Sequence, residues 1–171
     1  MTALVIGGSG SGKSAFAEEQ VSRLPSGKRV YLATMRAFDG ESKERVLRHR
    51  TQRAHLGFQT LEWPMDLLSA PVESESTVLL EDLPNLVANE MFGGGNAERI
   101  VPALRALAGR CGNLVIVTGD VFSDGVRYPE VTASYLRMLA SINREAATLS
   151  DFVTEVVYSI PVPLKGTMPW N

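Results

Sequence analysis

Residues Gly7-Gly8-Ser9-Gly10-Ser11-Gly12-Lys13-Ser14 fit the pattern G-x-x-x-x-G-K-[ST] throughout. They follow a short apolar run and precede a helical pattern, the context in which this pattern binds phosphate. Glycines let the backbone turn tightly and aim its N–H groups inward, and the positive end of the next helix adds its field. In such a loop Lys13 reaches the β- and γ-phosphates of a nucleotide, and the Ser14 hydroxyl ligates Mg²⁺. Gly10-x-Gly12-x-x-Ala15 also matches a dinucleotide fingerprint. No acidic residue ends the second apolar run to hold a ribose, so the phosphate loop is the better reading. Mg²⁺ chemistry also calls for an acid at the end of a neighbouring strand. Glu81 and Asp82 follow the run Val78-Leu79-Leu80, and Asp120 follows a later one. Adjacent residues point in different directions, so one of Glu81 and Asp82 is expected to face the metal and the other to cap the next helix.

A second segment carries a different kind of chemistry. Five of the seventeen basic residues lie between Lys43 and Arg53. Arg45, His49 and Arg53 recur every four residues and share one face of a predicted helix. Imidazole can attack an α-phosphate to form a phosphoramidate while guanidinium groups neutralise the developing charge. A solvated charged helix with an idle histidine fits the same residues. His55 is read as a loop residue.

These groups need elements to position them. Runs at 3–6, 29–33, 77–80, 113–118 and 152–158 are apolar almost throughout, as strands buried on both faces are. Helical patterns are read at 15–24, 41–53, 83–91, 97–107 and 130 to about 149. In the last, Val131, Tyr135, Met138, Ile142 and Ala146 keep helical spacing. The alternation predicts a mostly parallel α/β sheet flanked by helices, in one domain spanning 1–171. Gly93-Gly94-Gly95 reads as a flexible surface loop.

Composition removes other classes. Apolar residues make up 44% and charged residues 21%, enough for a packed core. No apolar run approaches a membrane span, and the first residues lack a basic leader, so a cytoplasmic protein is expected. The single cysteine, Cys111, and two histidines, His49 and His55, exclude a disulfide and a Cys- or His-rich metal centre. A net charge of −2 argues against nucleic acid as a partner.

With these residues in view, the chain resembles the bifunctional adenosylcobinamide kinase/adenosylcobinamide-phosphate guanylyltransferases of cobalamin biosynthesis. The likeness covers nearly the whole sequence. It runs from Val5-Ile6-Gly7-Gly8 and Ser11-Gly12-Lys13-Ser14, through Tyr31-Leu32-Ala33-Thr34, Asp39-x-Glu41, Arg45-Val46, His49-Arg50 and Arg53. It continues through Thr60-x-Glu62-x-Pro64, Leu79-Leu80-Glu81, Asn89, Asn143, 151–158 and Ser159-Ile160-Pro161. The stretch from Tyr31 to Arg50 is its most specific part. The resemblance implies a P-loop NTPase fold of the RecA-like type, a three-layer sandwich. It implies γ-phosphoryl transfer from a nucleoside triphosphate (ATP or GTP) to the corrinoid's aminopropanol hydroxyl. A second step then moves GMP from GTP onto that phosphate through a guanylylated histidine. By position the implied catalytic residues are His49 and Lys13. The implied nucleotide contacts are Gly7, Gly8, Ser9, Gly10, Ser11, Gly12, Lys13, Ser14, Thr34, Arg45, Arg50, Arg53, Glu62 and Glu81, with Ser14 and Glu81 on Mg²⁺. A homo-oligomer, commonly a trimer, is implied as well. The chain departs from the family where it reads Gly119-Asp120-Val121-Phe122 in place of Asn-Glu-Val-Gly, and where Leu136-Arg137 replaces an Arg-Asp pair.

Overall fold

A computed structural model describes residues 1–25, 27–35, 56–122 and 125–166. The basic segment 41–53, with Arg45, His49, Arg50 and Arg53, lies outside the described residues, as does His55. The strands are β1 (Thr2–Gly7), β2 (Arg29–Ala33), β3 (Phe58–Glu62), β4 (Thr77–Glu81), β5 (Asn113–Gly119), β6 (Phe152–Val157) and β7 (Ile160–Lys165). The α-helices among the described residues are α1 (Lys13–Arg23), α2 (Leu83–Phe92), α3 (Ile100–Arg110) and α4 (Glu130–Leu149).

The strands form one sheet in the order β3-β2-β4-β5-β1-β6-β7, parallel except for β7. β1 and the acid-bearing β4 are therefore not neighbours: β5 runs between them. Register explains why the central strands read as nearly continuous apolar runs. Leu32, Leu80, Ile116 and Leu4 pair in a row across β2, β4, β5 and β1, and all face one core. Tyr31, Leu79, Val115 and Ala3 form the adjacent row and face the other core. Successive side chains alternate faces, so a strand covered on both sides must be apolar at every position. The first core packs Leu86, Leu104, Leu107 and Ile142 from α2, α3 and α4, and the second packs Ala17 and Val21 from α1. The result is a mostly parallel α/β sheet between helical layers, the expected fold class.

Two strands carry no apolar run. β3 is an edge strand whose residues are half-buried or exposed and never fully buried. β7 is exposed at every position and contains Pro161 and Pro163, which argue against a strand in the sequence. Two residues apart, both prolines turn their missing N–H toward the same edge, the one that none of the described strands occupies, so the ladder to β6 survives. The stretch read as one helix at 97–107 divides into a 3₁₀ turn, Ala97–Arg99, and α3. Gly93-Gly94-Gly95 is more than a spacer. A Cβ on Gly95 would lie 1.9 Å from Glu90 Oε2, and that close approach lets the buried Glu90 carboxylate accept from the Asn96 N–H at 2.8 Å and the Asp66 N–H at 2.6 Å. No helix among the described residues is long and apolar enough to cross a membrane.

Leu32 is fully buried within the central row, on a strand that β4 and β5 separate from β1 and its loop. Leu32→Ala is expected to cost about 2–5 kcal/mol in urea-unfolding free energy, with the loop's anion affinity unchanged.

Candidate nucleotide site

The parallel strands bring their C-terminal ends to one edge. Gly7 pairs with Gly119 across β1 and β5, and Ala33 with Glu81 across β2 and β4. Just beyond β5, the Asp120 N–H donates to the Gly7 carbonyl at 3.2 Å. A cleft of about 580 Å³ opens at this edge. Its walls include Gly7, Ser9, Gly10, Lys13, Ser14, Glu81 and Asp120. This is the crevice outside the carboxyl ends of the strands where open α/β sheets bind ligands.

The loop leaves β1 and turns through Gly10 and Gly12, whose φ angles are 71° and 91°, left-handed backbone that glycine adopts freely. The first helical bond, Phe16 N–H to the Gly12 carbonyl at 3.0 Å, starts α1 directly behind it. Gly12 offers no side-chain cap, and the first turn of α1 holds no acidic residue. The N–H groups and positive end of that helix are therefore left for an external anion. Lys13 Nζ bonds back to the Gly8 carbonyl at 3.2 Å, which places its charge over the loop. The Ser11 N–H closes the loop on the Gly8 carbonyl at 3.3 Å.

α2 begins in the opposite way. Asp82 sits at its N-cap with φ 71°, and its carboxylate accepts the Asn85 N–H at 3.1 Å and the Asn85 side-chain amide at 2.5 Å. Capping thus occupies Asp82, while Glu81, one residue earlier, turns into the cleft and accepts the Ser14 hydroxyl on Oε1 at 2.6 Å. Of the pair, Glu81 is the one brought to the loop. Asp120 lines the same cleft, with the Phe122 N–H on its Oδ1 at 3.3 Å.

Thr34 and Glu62 stand differently. Thr34 is buried and absent from the cleft wall; its hydroxyl lies 2.9 Å from the Glu81 carbonyl and 2.8 Å from that of Asp82. Asn89 ties the same region together by donating to the Thr34 and Pro64 carbonyls, at 2.8 and 3.0 Å. These contacts hold the β4–α2 turn, and with it the Glu81 carboxylate, in place. Glu62 ends the edge strand β3, exposed and off the cleft wall. On the other side, Tyr135 of α4 donates to the Pro84 carbonyl at 3.2 Å. Burial, with the Asp82 charge, pushes its phenol above the ordinary tyrosine range, so it stays a donor. Thr118 is a cleft residue that sequence reasoning passed over as the end of an apolar run. It is buried and donates to Asn143 Oδ1 at 2.8 Å.

Ser14 and Glu81 present hard oxygen donors side by side at the lip of the loop, a donor set suited to Mg²⁺. No group of three or more His, Cys, Asp or Glu residues is gathered for a metal among the described residues. An ion here would take its remaining ligands from phosphate and water, as Mg²⁺ ordinarily does.

A family model described as cobinamide kinase / cobinamide phosphate guanyltransferase matches residues 3–164. The chain is 31% identical to the bifunctional adenosylcobalamin biosynthesis protein CobP of Pseudomonas aeruginosa, over 97% of this chain and 98% of that protein. It is also 31% identical to the bifunctional adenosylcobalamin biosynthesis protein CobU of Salmonella typhimurium, over 96% of this chain and 100% of that one.

A Cβ on Gly12 would meet Ser159 Oγ at 2.6 Å, and the residue is already in left-handed backbone. Gly12→Ala is expected to lower stability by about 1–3 kcal/mol in a denaturant melt. It should also abolish triphosphate binding in calorimetry, because relief of the contact must open the loop.

Proposed function

This chain belongs to the cobinamide kinase / cobinamide phosphate guanyltransferase family, and from that premise we propose that it runs both reactions of a bifunctional transferase in a single nucleotide cleft. The observation that carries the reading is the phosphate loop facing Glu81 across that cleft, with the Ser14 hydroxyl bonded to the carboxylate. Gly7 to Ser14 cradle the triphosphate, Lys13 follows the charge on the transferred group, and Ser14 with Glu81 hold Mg²⁺. When bound, the ion neutralises charge on the phosphate oxygens. Phosphoryl transfer asks mainly for positioning and charge neutralisation, and a rigid loop on a buried strand supplies both. The acceptor is the corrinoid's aminopropanol hydroxyl, and we assign its orientation to Asp120, which lines the cleft.

In the guanylyl step, the His49 imidazole attacks the α-phosphate of GTP, pyrophosphate leaves, and a phosphoramidate forms. The phosphate of the phosphorylated corrinoid then takes the GMP and frees the imidazole. Arg45, Arg50 and Arg53 neutralise charge on the phosphates during both exchanges. The reading of these residues rests on the sequence spacing and on family membership. Thr34 bears on the nucleotide through its hold on the Glu81 turn, whereas Glu62, off the cleft wall, is kept as a contact on family likeness alone. We further read the protein as a cytoplasmic, single-domain subunit of a homo-oligomer, a trimer by family likeness. An edge strand, β7, that exposes Ile160, Val162 and Leu164 supports the assembly.

Incubation with α-labelled GTP and Mg²⁺, followed by denaturation, is expected to leave acid-labile, base-stable label on the chain. His49→Ala should abolish it, and label that persists in that variant overturns the histidine assignment. Without label in the native protein, a γ-labelled assay with adenosylcobinamide decides whether a kinase alone remains. In that assay Lys13→Ala is expected to lower turnover on the order of a hundredfold or more.

A further inference from the structure

The two flanks of the phosphate loop are unequal. Toward β5 and β4 stand Asp120 and the Ser14–Glu81 pair. On the other flank β1 pairs with β6, and the β6–β7 hairpin turns directly beside the loop. That turn is Tyr158-Ser159, two residues between the paired Val157 and Ile160. The Ser159 N–H donates to the Ser11 carbonyl at 2.7 Å, and Ser159 Oγ occupies the space a Gly12 side chain would need. The turn is pinned to the loop at two consecutive residues.

Its composition is unexpected. Both residues have positive φ, 49° and 63°, as a type I′ hairpin turn requires. Asn-Gly satisfies that geometry without strain, whereas a bulky aromatic does not. Tyr158 gains no burial in exchange, since it is 90% exposed. An exposed ring kept in disfavoured backbone next to an anion-binding loop is strain of the kind that collects at ligand sites.

We propose that Tyr158 is the platform on which the base of the bound nucleoside triphosphate stacks. Tyr158 is not itself a wall of the cleft, and the direction follows from the end assigned to the phosphates. With the terminal phosphate and its ion at Ser14 and Glu81, the nucleoside must leave the loop away from that pair. The opposite flank of β1 is β6, one strand spacing away, and its C-terminal end is this turn. A phenol ring accepts any purine face, so the platform supplies affinity for a base without choosing between adenine and guanine. The proposal rests on the reading of Gly7 to Ser14 as a nucleoside triphosphate site, and the test separates the two.

The full-length protein, Tyr158→Asn and Tyr158→Trp are titrated calorimetrically with ATP, GTP and inorganic tripolyphosphate, each with Mg²⁺. Asparagine suits left-handed backbone, so Tyr158→Asn should fold with an unchanged or higher Tm. It should weaken ATP and GTP on the order of tenfold and leave tripolyphosphate unaffected. Tyr158→Trp should keep nucleotide affinity and gain tryptophan emission quenched by ATP or GTP but not by tripolyphosphate. Equal weakening of nucleotides and tripolyphosphate would mean that the turn only braces the loop, and the platform is overturned. Unchanged nucleotide affinity in Tyr158→Asn overturns it too, and altered sedimentation in that case reassigns the ring to subunit contact. If the native protein binds tripolyphosphate as tightly as ATP, the loop reading stands and the platform fails. If it binds none of the three, both fail.

Discussion

β1 is hydrogen-bonded along both edges, to β5 through Thr2–Gly7 and to β6 through residues 3–6, and both its faces are buried. Its C-terminal end cannot shift without breaking two ladders and opening two cores. That immobility is what the phosphate loop depends on. Backbone N–H groups favour an anion only if they already converge when it arrives, since ordering them afterwards would consume the binding free energy. The same clamp joins the loop to its neighbours. Gly7 receives the Asp120 N–H from the β5 side, and Ser11 receives the Ser159 N–H from the β6 side.

Two of the helices that start at this edge, α1 and α2, divide the electrostatic work. α1 begins uncapped, its positive end directed at the loop, and α2 begins with Asp82 already filling its N-cap. A charge that satisfies a helix end is unavailable to a ligand, so the cap on α2 leaves Glu81 as the carboxylate facing Ser14. Thr34 and Asn89 act one layer further out. By bonding the carbonyls of Glu81, Asp82, Thr34 and Pro64 they hold the ends of β2, β4 and the segment after β3 in register. In a chain of this kinase and guanylyltransferase family, that arrangement gives one rigid edge on which the phosphate loop and the Glu81 carboxylate meet, while the groups proposed for the second exchange lie outside the described residues.

Five strands were legible because each is covered on both faces, and that burial survives in the sequence as a run that is apolar almost throughout. β3 and β7 were not, since edge strands answer to one neighbour and tolerate exposed residues and proline. The phosphate loop was legible for a related reason. Its glycines are dictated by backbone angles local to the loop, and Lys13 and Ser14 occupy fixed places after them. The choice between Glu81 and Asp82 was not, because it turns on which carboxylate Asn85 claims. Neither was the contribution of Thr118, hidden at the end of an apolar strand.

The sequence by itself determined the α/β alternation, the phosphate loop and its helix, the family, and the expectation of a histidine between arginines at 45–53. Each is written in local spacing or in residues close together along the chain. Tertiary structure alone decided the strand order, which puts β5 between the loop and its acid and sets β6 on the loop's other side. It decided that Glu81 meets Ser14, sixty-seven residues away. It also decided that Tyr158, read in the sequence as the end of a strand, belongs to a turn beside a loop near the start of the chain. These are contacts between distant residues, fixed by sheet register and packing, and no local pattern records them.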